Sequence, residues 1–152
     1  AFSGMGTTRK DAGSKERQRR VDKDYQHAFA ANCYEEGVQQ FVLISSRGAS
    51  VSSRFFYPRI KGELDKAIEK IPFRRTFILR PNSLIREKTT RKAESIAVTL
   101  LQSANKLGLL MSYRPISTKE LAQKMLQLVT SDMPDDVHVL EGNECEIKNT
   151  TK

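Results

Sequence analysis

Apolar positions follow two patterns along this chain. Short unbroken runs occur at Phe41-Val42-Leu43-Ile44 and Thr76-Phe77-Ile78-Leu79, with a last one at Val137-His138-Val139-Leu140. Runs of that length fit strands buried on both faces, as in parallel sheets. Elsewhere apolar residues recur at helical spacing. Tyr25, Ala28, Phe29 and Cys33 predict a helix that starts near Asp22 and closes at Gly37. Ile60, Leu64, Ala67, Ile68 and Ile71 predict a second helix, with Pro58 in its first turn and Pro72 at its end. Ile96, Leu100, Leu101 and Ala104 predict a third over residues 96–107. Ser117-Thr118-Lys119-Glu120 has the pattern of a capping box, in which the serine caps the backbone and the glutamate reaches back. It opens a helix carrying Leu121, Met125, Leu128 and Val129.

Between these elements lie polar segments. Residues 1–20 contain Gly4, Gly6 and Gly13 and read as a strand end followed by a loop. A Ser/Gly-rich loop runs from Ser45 to Ser53, and Arg80-Pro81-Asn82-Ser83 breaks the second strand. Residues 84–95 are charged and show no clear period. The element order predicts an α/β fold. It matches the C-terminal part of a doubly wound, mostly parallel sheet with helices on both faces, about half of such a sheet plus an extension. Residues 1–148 read as a single partial domain and residues 149–152 as a polar tail.

Composition narrows the function classes. A chain of 152 residues is one domain by length and can bury an ordinary core. No apolar run is long enough to span a bilayer, so membrane insertion is not expected. No signal peptide is visible at Ala1-Phe2-Ser3-Gly4, which also lacks an initiator Met. The net charge of +8 invites a nucleic-acid reading, but the basic residues are scattered. Arg17, Arg19 and Arg20 form the densest group, and Glu16, Asp22 and Asp24 flank it. The charge therefore reads as a solvated surface, or as a patch that meets cofactor phosphates, rather than as a nucleic-acid site. Cys33 and Cys145 are far apart and read as free thiols in a reducing compartment. A cytoplasmic location is expected on that ground, with nucleus and mitochondrion left open. His27 and His138 lack ligand spacing, so no metal is expected.

The chemistry worth testing sits at Tyr57, Lys61 and Ser46. A tyrosine and a lysine four residues on share one helix face, one turn apart. A phenol ionises near pH 10, and a neighbouring ammonium is expected to lower that value. Such a pair suits general acid/base work at a carbonyl or alcohol. Ser46, just beyond the first apolar run, could hold the substrate oxygen near the phenol. The alternative is an ordinary surface Tyr with an unrelated Lys. Gly4-Met5-Gly6-Thr7-Thr8-Arg9 is not a dinucleotide fingerprint, because Arg9 replaces the third glycine. It reads as a strand end whose small residues admit a cofactor, or equally as a turn. Arg80 can pair with a structural carboxylate. Arg86, Lys88, Arg91 and Lys92 can meet a phosphate or simply line a solvated loop. No Ser-His-Asp set and no P-loop is apparent.

These motifs, in this order, resemble the atypical short-chain dehydrogenase/reductase branch typified by the Tat-interacting oxidoreductase, a relative of the NmrA-like proteins. The matching stretches are Gly6-Thr7-Thr8-Arg9-Lys10 with Ala12-Gly13, Val21 to Tyr25, Leu43 to Ala49, Ser52 to Tyr57, Lys61-Gly62-Glu63 and Arg80-Pro81. They cover roughly residues 4–92, and the C-terminal third resembles the family only in its pattern. The resemblance implies an NADP(H)-binding Rossmann fold, with NADPH preferred over NADH. It implies Tyr57 as proton donor/acceptor, Lys61 as its partner on the ribose, and Ser46, with Ser45 as the alternative, as the substrate-orienting serine. It places Met5, Gly6 and Thr7 beside the cofactor, Leu84 near the nicotinamide end, and Arg91 as a further cofactor contact. A small-molecule substrate of unknown identity follows. The resemblance also allows a non-catalytic regulator that binds a protein partner or pairs as a homodimer. The sequence departs from the family at Asn82, where Gly is common. It also lacks the initial βαβ segment with G-x-x-G-x-x-G, so weak cofactor binding is expected of these residues alone.

Overall fold

A computed structural model describes residues 1–85 and 115–147. The chain divides into two compact units, Ala1–Arg80 with Met133–Val139, and Pro81–Asp132 with Leu140–Lys152.

The first unit opens with β1 (Phe2–Ser3) and continues through two short helices, α1 (Arg9–Ala12) and α2 (Lys15–Arg19). These helices replace the loop expected over residues 1–20. Thr8 and Ser14 nucleate them: their side chains accept hydrogen bonds from the Asp11 and Arg17 amides. Gly13 ends α1 in the left-handed region, with φ 80°. A π turn (Arg20–Asp24) then leads into α3 (Tyr25–Glu35). β2 (Gln40–Ile44), α4 (Phe56–Ile68) and β3 (Arg75–Arg80) follow, close to the residues that periodicity predicts.

β1, β2, β3 and β6 (Val137–Glu141) form one sheet in that order. β1 pairs parallel with β2 through Phe2 and Val42, and β2 pairs parallel with β3 from Gln40–Arg75 to Ile44–Leu79. Phe41, Val42, Leu43, Phe77, Ile78 and Leu79 are all fully buried, so β2 and β3 are covered on both faces as their unbroken runs predict. On one face Phe41, Leu43 and Ile78 join Ala30 of α3, Leu64 and Ile68 of α4, and Phe73 in a single cluster. The Phe41 and Phe73 rings stack at 5.0 Å, and Tyr34 meets Phe73 edge-on at 5.7 Å.

The inward face of α3 differs from the expected one. Tyr25 and Phe29 stay 52 % and 40 % exposed, while Gln26 and Ala30 are buried. A π turn holds one residue more than an α turn, which rotates everything after it. The inward row therefore runs through Asp22, Gln26 and Ala30, and its start is polar. Periodicity of apolar residues does not detect such a row.

The second unit holds a two-stranded parallel sheet, β4 (Leu84–Ile85) with β5 (Ile116–Ser117), and α5 (Thr118–Val129). Ser117 caps α5 by accepting from the Glu120 amide at 3.1 Å, but the reciprocal bond from the Glu120 side chain does not form. Ser117 is also the last residue of β5, in register with Ile85. Leu121, Met125 and Leu128 are buried as predicted. Asn82 is buried, and its amide donates to the Asn143 side chain at 3.2 Å. The helix predicted over residues 96–107 lies outside the described residues.

Candidate active site

The candidate residues of the first unit gather at the carboxyl ends of its parallel strands. Ligands bind there in open α/β sheets. The segment Gly4–Thr7 leaves β1, Ser45 and Ser46 leave β2, and Arg80 ends β3. α4 brings Tyr57 and Lys61 to the same end. Phe55 stands in extended conformation before its first turn, and Pro58 lies near its start, where a missing N–H removes no helical bond.

Lys61 is 2 % exposed, and its ammonium donates to the Ile44 carbonyl at 3.2 Å. Burial lowers its pKa, opposed by the Asp22 and Asp65 carboxylates. Tyr57, one turn earlier, is 38 % exposed at its ring. Its phenol does not shift down as the sequence suggests. It is pushed up to about 12, first by desolvation and then by the negative charge of Asp22. The Lys61 ammonium is directed at Ile44 and contributes nothing that offsets the carboxylate.

Ser46 is half-buried, and its hydroxyl makes no hydrogen bond among the described residues, while its carbonyl accepts from the Ala49 amide at 3.0 Å. Ser45 is buried, and its amide is tied to the Leu79 carbonyl at 2.7 Å. Its hydroxyl faces Asp65 without a hydrogen bond of ordinary geometry. Of the two serines, Ser46 has the hydroxyl open to a ligand. Met5 and Gly6 are exposed, and Thr7 is half-buried.

Two buried carboxylates were not among the residues selected by sequence. Asp22, in the π turn, is fully buried, and its Oδ2 accepts from the Thr7 amide at 3.1 Å while its Oδ1 has no partner. A Cβ on Gly6 would stand 3.2 Å from that Oδ1, so glycine lets the loop lie against the carboxylate. Asp65 on α4 is fully buried and accepts from Arg80 Nε at 2.9 Å, which meets the structural role expected of Arg80. Burial raises the pKa of both acids. The Thr7 amide and Lys61 pull Asp22 back down, and Arg80, Lys61 and Ser45 do the same for Asp65. The spacing of Asp65 four residues after Lys61 was the one available signal, since it puts both on one helix face. Leu84 lies in the second unit, paired with Ile116 in β4. Arg91 lies outside the described residues.

No protein-family profile matches the chain. Curated relatives do. The chain is 36 % identical over 148 residues to the mitochondrial protein FMP52 of Eremothecium gossypii, covering 94 % of this chain and 66 % of that protein. It is 33 % identical over 136 residues to the FMP52 of Debaryomyces hansenii, covering 87 % and 59 %. It is 37 % identical over 91 residues to the FMP52 of Saccharomyces cerevisiae, covering 60 % and 39 %. The chain thus spans no more than 66 % of the length of these relatives. None of the three is named as Tat-interacting or NmrA-like, and all are named mitochondrial, which lends no support to the cytoplasmic expectation. Among solved structures, a short chain dehydrogenase/reductase family protein matches with TM-score 0.53 at 16 % identity, over 93 % of this chain and 63 % of that one. The chain is similar to FMP52 proteins in sequence and has the α/β fold of a short-chain dehydrogenase/reductase.

Proposed function

We propose that the chain carries the acid/base residues of an NADP(H)-dependent oxidoreductase of the short-chain dehydrogenase/reductase type that reduces a small carbonyl compound. The observation that supports this most is the placement of Tyr57 and Lys61. They lie one turn apart on α4, with Lys61 buried against the carboxyl end of β2.

The residues fit a dinucleotide. Gly6 presents bare backbone, and a side chain there would meet Asp22 Oδ1 at 3.2 Å. Lys61 has N–H donors beyond the one given to Ile44. Lys61 would hold a ribose hydroxyl, and the Met5–Thr7 backbone would lie along the cofactor. NADPH, when bound, supplies the hydride. Ser46 orients the substrate oxygen, and Tyr57 donates the proton that completes the alcohol. A phenol pushed up to about 12 is held in its acid form at neutral pH, the form a proton donor needs.

We assign the protein to the mitochondrion, after its relatives' names. Fractionation of cells expressing a tagged full-length form tests this, and recovery in the cytosol alone would refute it. NADPH titration of the full-length protein by fluorescence tests the function. Saturable binding is expected, and absence of binding would defeat the oxidoreductase reading.

A further inference from the structure

Four charged side chains of the first unit are buried or nearly so at the strand ends, and their pairing can be worked out. Arg80 is bonded to Asp65 at 2.9 Å. The surface cations close to Asp22 in sequence are also taken. Arg19 and Lys23 pair with Glu63 at 2.7 Å and 3.5 Å, and Lys23 also lies 4.0 Å from Asp24. That leaves a buried ammonium, Lys61, whose one hydrogen-bond acceptor among the described residues is a neutral carbonyl, and a buried carboxylate, Asp22, with one orphan oxygen. The π turn that carries Asp22 packs on α4, which carries Lys61. A buried charge with no compensation costs several kcal/mol, so a fold that keeps both groups keeps them for each other.

Asp22 is also fixed with unusual care. Its Oδ2 holds the Thr7 amide, its carbonyl accepts from Gln26 Nε2 at 2.9 Å, and Gln26 Oε1 accepts from Ser3 Oγ at 2.9 Å. The carboxylate is thereby tied to β1 and to the loop that leaves it.

We propose that Asp22 is a positioning residue of the site: its carboxylate is the counter-charge of Lys61 and, through the Thr7 amide, the clamp on the Met5–Thr7 loop. The assignment rests on the reading of Tyr57 and Lys61 as the acid/base pair. The groups that face the carboxylate are the Thr7 amide from the loop and Lys61 and Tyr57 from α4.

Asp22→Asn keeps an oxygen for the Thr7 amide and removes the charge. In the full chain, with 13C-labelled tyrosine and lysine side chains, NMR titration reads Tyr57 and Lys61 directly, without turnover. The expected result is a downward shift of both midpoints relative to the parent. The phenol loses a neighbouring anion that opposed its ionisation, and the ammonium loses the anion that favoured its charged form. Unchanged midpoints in a folded Asp22→Asn protein would overturn the proposal. Should that variant fail to fold, Lys61→Met gives the reciprocal reading. The Asp22 carboxyl, deprived of its cation, titrates at higher pH, and an unmoved midpoint would overturn the proposal. Shifted midpoints together with no NADPH binding would uphold the counter-charge and defeat the oxidoreductase reading, so the two failures are distinguishable.

Discussion

The Lys61 ammonium donates to the Ile44 carbonyl across 3.2 Å, and this bond joins α4 to the end of β2. Because Lys61 is buried, its position is set by the sheet and not by solvent. Tyr57 sits one turn before it and inherits that fixed position through the helix backbone. An acid/base side chain on an element anchored in this way keeps its geometry without a bound ligand.

Replacing Tyr57 by Phe removes the hydroxyl and little packing. Turnover in the full-length protein should fall by roughly a hundredfold to ten-thousandfold, the usual range for one general acid. The dissociation constant for NADPH should change little. Steady-state assays beside fluorescence titration check both, and equal loss of binding and turnover would contradict the assignment of Tyr57.

The Arg80–Asp65 pair should respond asymmetrically to substitution. Asp65 is fully buried and its side chain meets the Arg80 guanidinium at 2.9 Å. Arg80→Met leaves a buried carboxylate exposed to no cation but Lys61 and should cost about 3–5 kcal/mol. Adding Asp65→Leu should recover most of that loss, because the stranded charge is gone. Urea denaturation of the two variants and the parent reads the difference.

Gly62 is glycine for lack of space. A Cβ there would stand 2.4 to 2.6 Å from the Ser50 backbone. Ser50 in turn donates its amide to the Pro58 carbonyl at 3.0 Å, so the loop after β2 lies directly on α4. Gly62→Ala should destabilise by about 1–3 kcal/mol through overpacking, despite the better helix propensity of alanine. Thermal unfolding checks this, and a stabilised variant would contradict the packing described.

Stability should vary with alkaline pH in two opposing ways. Tyr57 has its pKa raised from 10.0 to about 12. The folded state therefore holds that proton longer, and its contribution is full below pH 10 and lost as pH rises toward 12. Lys61 has a folded pKa below 10.5, so its contribution grows as pH rises from that lowered value to 10.5. Tyr57→Phe should remove the first effect and leave the second. Denaturation curves between pH 9 and 11.5 should then show a smaller alkaline loss in the variant than in the parent. An identical loss would mean that the phenol is not perturbed.

Local sequence determined the elements that local rules govern. The unbroken runs at Phe41–Ile44 and Thr76–Leu79 became β2 and β3, buried on both faces because no polar residue interrupts them. The Ile60, Leu64 and Ile68 spacing became the inward face of α4, and Ser117 became a cap. The Tyr57 and Lys61 pair was legible because a helix turn fixes its spacing. Tertiary structure decided the rest. The π turn at Arg20–Asp24 turned a polar row inward and set Asp22 near a lysine thirty-nine residues later in the chain. The pairing of Asp65 with Arg80, and the contact of Gly62 with Ser50, also join residues from different elements. Periodicity reports which face of an element is apolar, but the charge state of a buried group depends on which other charges the fold brings beside it. The sequence therefore placed the phenol correctly and erred on the direction of its shift, because the carboxylate that raises it enters the site only through long-range packing.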